Sequence, residues 1–234
     1  MDILRKAAIF GDSILKGIQL DPETKRYGVK NCIDLEKIGN KHSVYIDNFS
    51  MFGCTIIKGN TMLQRRLEKR SFNICVLEYG GNDCDFNWKE ISERPHDKHL
   101  PNTPLDVFVN TYRKMIHTLK EKGIEPILAT LPPLEPQKFF DWFCKDLNKG
   151  NILKWLGTVN TIYRFQEKYS RAIELIAHET HALLLDIRGA FLNNFRVDTL
   201  LCEDGTHPNS DGQRVITETF LNFPKNDNRE IVYA

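Results

Sequence analysis

Four short groups of residues in this chain of 234 residues could do chemistry together. Gly11-Asp12-Ser13 offers a hydroxyl, and Asp204-Gly-Thr-His207-Pro208 places a carboxylate three residues ahead of an imidazole. Ser50-Met-Phe-Gly-Cys-Thr55 presents the backbone of Gly53, and Gly80-Gly-Asn-Asp83 presents the side-chain amide of Asn82. A serine hydroxyl is a poor nucleophile until a base within hydrogen-bond reach takes its proton, and His207 is the candidate base for Ser13. Asp204 lies across a turn that Gly205 permits. From there its carboxylate can accept from Nδ1 of His207, fix the tautomer and stabilise the imidazolium. Pro208 locks the chain beyond the histidine and starts a helix, which restricts where the ring can go.

Chemistry of this kind needs elements that bring distant residues to one edge. Strand-like runs alternate with helical ones along the chain, the pattern of a parallel sheet covered on both faces. Residues 6–10, 43–49, 73–79, 126–131 and 182–187 read as strands, and 29–38, 56–69, 105–122 and 159–180 as helices. A last helix follows His207-Pro208, with Ser210 and Gln213 spaced as a capping box. Five strands with intervening helices imply a three-layer α/β/α domain. Gly11-Asp12-Ser13 follows the first strand, Gly53 the second, Asn82 the third, and Asp204–His207 the fifth by a loop. All four groups therefore fall outside the carboxyl ends of strands, where open parallel sheets bind ligands.

Singly, each group is common: serine is a favoured helix cap and asparagine a favoured turn residue. Together and in this order, Gly11-Asp12-Ser13, Gly53, Gly80-x-Asn82-Asp83 and Asp204-x-x-His207-Pro208 resemble the four sequence blocks of the SGNH (GDSL-like) hydrolases. The first block here ends in isoleucine where the family pattern has leucine, one aliphatic packing residue for another. The resemblance implies a flavodoxin-like sandwich of about five parallel strands in the order 2-1-3-4-5. It implies a serine esterase with Ser13, Asp204 and His207 as catalytic residues and no metal or organic cofactor. It assigns the oxyanion hole to the backbone N–H groups of Ser13 and Gly53 and to the Asn82 side chain. The residues fit these roles. With strand order 2-1-3, Gly53 and Asn82 flank Ser13. Gly53 lacks a Cβ and lets substrate approach, and Asn82 carries donors that a carboxylate lacks. Asp12 and Asp83 read as structural, holding their loops through bonds to backbone.

The remaining signals narrow the class. A composition 41% hydrophobic and 27% charged suits a globular enzyme, and a formal net charge of +1 implies neither nucleic-acid binding nor membrane attraction. Residues 1–234 read as one domain with loop insertions near 84–104 and 135–157. The second insertion is rich in aromatics: Phe139, Phe140 and Phe143 are at helical spacing, to be packed on the domain, to wall an acyl pocket or to self-associate, and Trp88 in the first is a candidate pocket residue. The basic run Arg65, Arg66, Lys69 and Arg70 reads as a solvated helix face. His96-Asp-Lys-His99 and His178-Glu-Thr-His181 read as surface or packing histidines rather than metal ligands, the latter one residue short of the zinc-protease spacing. The six cysteines are scattered, and the start Met1-Asp-Ile-Leu runs straight into a strand without a leader, so a cytoplasmic protein with reduced thiols and no membrane insertion is expected. The substrate class is then a small-molecule ester, with short acyl or acetyl groups on sugars or other small alcohols first. Acyl transfer from the same acyl-serine, or a silent binding module of the same fold, are the alternatives.

Overall fold

The computed structural model describes residues 5–30 and 32–224; Met1–Leu4, on which the reading of a missing leader rests, lie outside them. In chain order the elements are strands β1 (Arg5–Gly11), β2 (Ile18–Leu20) and β3 (Tyr27–Val29), helix α1 (Leu35–His42), β4 (Val44–Asn48), α2 (Ile56–Leu67) and β5 (Ile74–Glu78). There follow α3 (Trp88–Glu93), α4 (Leu105–Glu121), β6 (Glu125–Ala129), α5 (Pro136–Phe143), α6 (Lys149–Leu156) and α7 (Asn160–Thr180). The chain ends its regular structure with β7 (Leu183–Leu185), α8 (Ile187–Leu192), a 3-10 turn at Val197–Leu200 and α9 (Ser210–Leu221).

The central strands are buried on both sides, and side chains one residue apart serve opposite layers. Ala8 and Phe10 of β1, Cys75 and Leu77 of β5, and Leu128 of β6 face a core built with Ile56 and Leu63 of α2, Tyr112 and Met115 of α4 and Ile173 of α7. Ile9, Val76 and Ile127 point the other way, onto Ile38 of α1, Phe191 of α8 and Ile216 and Phe220 of α9. This is the three-layer α/β/α arrangement, with a five-stranded parallel sheet ordered β4-β1-β5-β6-β7. The strand labels depart from 2-1-3-4-5 because β2 and β3 pair separately as a small antiparallel ribbon that the sequence patterns did not reveal. Counted among themselves, the five sheet strands put the second beside the first and the first beside the third, so the loops after β4 and β5 flank the end of β1.

Four local expectations need correcting. The helix expected at 29–38 begins only at Leu35, where the Asp34 side chain accepts from Lys37 N at 2.8 Å, because Tyr27–Val29 is claimed by the ribbon. It also runs through Gly39 to His42. That glycine is there for contact, since a Cβ would sit 2.8 Å from the carbonyl oxygen of Val44. The final helix is capped one residue earlier than the Ser210–Gln213 box: the Asn209 side chain accepts from Asp211 N at 3.0 Å and Gly212 N at 3.1 Å. Asparagine caps as well as serine does, so two candidate registers existed and the other won. The last strand stops at Leu185, and Asp186 starts the unforeseen α8 by accepting from Gly189 N at 2.9 Å.

The segments 84–104 and 135–157 are not bare loops. They carry α3, α5 and α6, whose Trp88, Ile91, Phe140, Ile152 and Leu156 form a third apolar cluster with Phe86 and Ile162. The aromatic stretch is thus packed against the protein through Phe140, with Phe143 stacked on Trp88 at 4.2 Å between ring centroids. Arg66 and Arg70 of the basic run lie against the Phe49 ring at 4.6 and 6.0 Å, and Arg70 pairs with Asp47 at 3.0 Å. No helix of the described residues is long and apolar enough to cross a membrane.

Candidate active site

Strand β1 delivers Ser13 two residues beyond Gly11, into the gap left where its neighbours β4 and β5 diverge into different loops. Asp12 shapes the turn: its Oδ1 accepts from Ile14 N at 2.8 Å, an Asx-type closure that turns the chain sharply. The loop before α9 comes from the far end of the sequence, and Cys202 N bonds His207 O at 2.8 Å to make it a tight turn. Within it the Asp204 carboxylate is buried, with Oδ1 accepting from the N–H groups of Thr206 and His207 at 3.0 and 3.1 Å. Its Oδ2 meets Nδ1 of His207 at 2.7 Å, and Nε2 of His207 meets Oγ of Ser13 at 3.0 Å. Carboxylate, imidazole and hydroxyl form one continuous hydrogen-bonded line.

The charges fit that line. Burial alone raises the Asp204 pKa, but the hydrogen bond and charge of His207 and the two backbone donors outweigh it and hold the carboxyl below its usual value. The anion facing Nδ1 is therefore secure at neutral pH.

Of the expected donors, Ser13 and Asn82 line one cavity, and Gly53 lies in the loop after β4. Neither the N–H of Ser13 nor that of Gly53 is taken by an acceptor among the described residues. A Cβ on Gly53 would meet nothing within 4 Å, so its backbone is open to a ligand. Asn82 Nδ2 donates to Asp12 Oδ2 at 2.8 Å, which orients the amide and leaves its second N–H without a described partner. Asp83 spans the two loops: its oxygens accept from Ile56 N at 3.0 and 3.2 Å, capping α2, whose own N-cap Thr55 supplies no side-chain bond. Burial pushes the Asp83 carboxyl up to about 6, against hydrogen bonds from Thr103 and Ile56 that lower it. The 84–104 segment returns to brace the same place, with Asn102 Nδ2 on Asn82 O at 2.9 Å and Thr103 N on Asp83 O at 3.0 Å. Asp12 and Asp83 thus hold loops, as expected, and in addition tie the sources of the donors to one another.

Beneath Asp12 lies a group that sequence reasoning passed over. Glu78, the last residue of β5, is wholly buried and accepts from Asp12 N at 3.1 Å through Oε2. Burial and then the neighbouring Asp12 charge raise its carboxyl well above the ordinary value, and burial raises that of Asp12 as well. Burial and the neighbouring negative charge both favour the protonated form of Glu78.

Aromatic residues frame the imidazole. The Tyr27 ring lies 5.0 Å from His207 between centroids, and Phe52 stacks over it at 6.0 Å with planes 11° apart. Burial, followed by the charge of Asp204, raises the Tyr27 phenol pKa. Phe52 sat in view inside the Gly53 block; Tyr27 did not, because nothing in its sequence neighbourhood announces the ribbon that carries it. Beside Ser13 opens a cavity of about 170 Å³, lined in part by Asn82, Trp88, Leu134, Phe139, Trp142 and His207. Trp88 is therefore at the pocket, and Phe139 and Trp142 give the aromatic stretch a second role as its wall. The histidine pairs are elsewhere: His99 Nε2 lies 2.8 Å from Arg94 O, and His96 Nε2 3.2 Å from Lys154 Nζ. No group of three or more His, Cys, Asp or Glu among the described residues could hold a metal ion.

Comparison with known proteins identifies the family and the fold. A family model described as GDSL-like lipase/acylhydrolase matches residues 9–215. No curated protein matches in sequence. Among solved structures, the lipase/acylhydrolase from Enterococcus faecalis superposes with a TM-score of 0.65 at 20% identity, covering 93% of each chain. A catalytic mutant of an acetylxylan esterase from Geobacillus stearothermophilus superposes with a TM-score of 0.64 at 19% identity, covering 95% of this chain and 96% of that one. At such identities the likeness is one of fold.

Proposed function

The chain belongs to the GDSL-like lipase/acylhydrolase family, and from that premise we propose that it hydrolyses small acyl esters through an acyl-enzyme on Ser13. The observation that carries this reading is the unbroken line from Asp204 Oδ2 to His207 Nδ1 at 2.7 Å and from His207 Nε2 to Ser13 Oγ at 3.0 Å. His207 takes the hydroxyl proton as Oγ attacks the ester carbonyl. The carbonyl oxygen becomes an oxyanion held by the N–H groups of Ser13 and Gly53 and the free N–H of Asn82. Collapse of the tetrahedral species expels the alcohol, which leaves with the proton from His207. Water, deprotonated by the same imidazole, then releases the acid. Asp204 stabilises the imidazolium at both stages.

The size of the cavity, about 170 Å³, favours short acyl groups and small alcohols over long chains. The complete line of groups argues against a silent binding module. A fluorophosphonate probe should label Ser13, and Ser13→Ala should abolish labelling and lower turnover of 4-nitrophenyl acetate by about 10⁴–10⁶. Turnover within tenfold of the parent would end the serine mechanism.

A further inference from the structure

The cavity beside Ser13 has a chemistry that a simple acyl pocket does not need. Phe86, Trp88, Phe139, Trp142 and Phe165 all line it, with the Phe86 ring 4.8 Å from Phe165 and 5.7 Å from Trp88 between centroids. Two carboxyl residues line it as well: Asp12, whose oxygens are taken by Ile14 N and Asn82 Nδ2, and Asp85, set among the rings. Asp85 lines the same cavity, and its Oδ1 accepts the indole N–H of Trp88 at 2.7 Å. No lysine or arginine lines the cavity, and among the described residues none pairs with Asp85. Gln166, only 6% exposed, lines it too; its Nε2 donates to Pro132 O at 3.1 Å and its Oε1 has no partner.

Asp85 is only part-buried, but a carboxylate without a counter-ion in an aromatic surround is costly, and a lost hydrogen bond at the buried Gln166 oxygen adds to that cost. A fatty or acetyl group filling the cavity would leave the Asp85 charge without a counter-charge and the Gln166 oxygen without a donor. An acidic substituent would be repelled. A cation supplies the missing counter-charge, because aromatic faces attract positive charge and the carboxylate completes the pair; a protonated amine can donate a hydrogen bond as well. Burial pushes the Asp85 carboxyl up to about 6, offset in part by the Phe86 N–H and the Trp88 indole, so it remains charged at neutral and alkaline pH.

We propose that this cavity is an ammonium site, and that the ester the protein prefers carries a quaternary or protonated amine in the moiety lodged between the aromatic rings and Asp85. The inference rests on the Ser13 esterase reading and supplies its substrate class. At about 170 Å³ the space holds a head group of trimethylammonium size, not an extended polyamine.

Tetramethylammonium chloride and its neutral near-isostere 2,2-dimethyl-1-propanol are titrated as inhibitors of 4-nitrophenyl acetate hydrolysis, with sodium chloride matching the ionic strength. The cation should inhibit competitively with a Ki about tenfold or more below that of the alcohol. Equal constants, or a stronger effect of the alcohol, overturn the proposal. Asp85→Asn keeps an oxygen for the Trp88 indole, and should bring the two constants within about twofold of each other. An unchanged ratio in a folded variant removes Asp85 from the site. Absence of any ester turnover and of fluorophosphonate labelling would sink the esterase reading instead. Calorimetric titration of tetramethylammonium into the protein still decides the pocket's preference in that event.

Discussion

Asn82 hangs its side-chain amide on Asp12, Nδ2 to Oδ2 at 2.8 Å, and Asp12 is the residue immediately before Ser13. The donor proposed for the oxyanion hole is thereby oriented through the turn that carries Ser13. The second oxygen of Asp12 is already committed to Ile14 N at 2.8 Å. In Asp12→Asn one of these two acceptors becomes an NH₂, so either the turn or the Asn82 amide loses its anchor. We expect kcat to fall by about 10–10² with little change in KM, and Asn82→Ala to cost about 10²–10³. The double variant should cost scarcely more than Asn82→Ala alone, since both changes remove the same donor. Steady-state kinetics on 4-nitrophenyl acetate check this; fully additive losses would mean that Asp12 acts independently of Asn82.

Glu78 gives a pH dependence with a defined sign. Its folded pKa lies well above the unfolded value, through burial first and the Asp12 charge second. As pH rises past the unfolded pKa, near 4.5, the unfolded chain gives up this proton while the folded one keeps it. Stability therefore falls with pH, by about 1.4 kcal/mol per unit for one such group, until the folded pKa is reached. Asp12, Asp83 and Asp85 are raised by burial too, so the parent protein carries several slopes of this sign. Glu78→Gln removes one of them at nearly constant shape. Urea unfolding at pH 5, 6 and 7 should show the variant gaining on the parent at each step. Parallel stabilities across that range would show that Glu78 is ionised in the folded protein.

What could be read in advance follows from where the information sits. Ser13, Gly53, Asn82, Asp204 and His207 each stand in a short local pattern at a strand end, and parallel-sheet topology then brings strand ends together. Glu78 and Asp85 each adjoin a legible block, yet their roles depend on depth and on neighbours from other segments, which residue type does not encode. Tyr27 was hidden more completely. Its strand is three residues long and paired in a ribbon, too short for alternation to register. The insertions were recognised as long but misread as loops, because the periodicity of helices as short as α3, six residues, barely exceeds one turn.

Gly205 couples the Asp204–His207 turn to the aromatic wall. It has a φ of +72°, and its carbonyl accepts from Glu135 N at 2.8 Å, at the start of α5. A Cβ there would lie 2.6 Å from Glu135 O and 2.7 Å from Phe139 N, both backbone atoms that cannot swing aside. Gly205→Ala must then push apart the Asp204–His207 turn and the helix bearing Phe139 and Trp142, besides straining its own backbone. Gly123, at φ +68° with nothing within 4 Å of the added atom, isolates the strain alone. We expect Gly123→Ala to lose about 1–2 kcal/mol in urea unfolding and to keep its kcat. Gly205→Ala should lose about 2–4 kcal/mol and also drop in kcat by at least tenfold, because a displacement near 1 Å at the imidazole is enough to misalign it with Ser13. A Gly205→Ala protein with the same kcat as the Gly123→Ala control would show that α5 and the Asp204–His207 turn move independently.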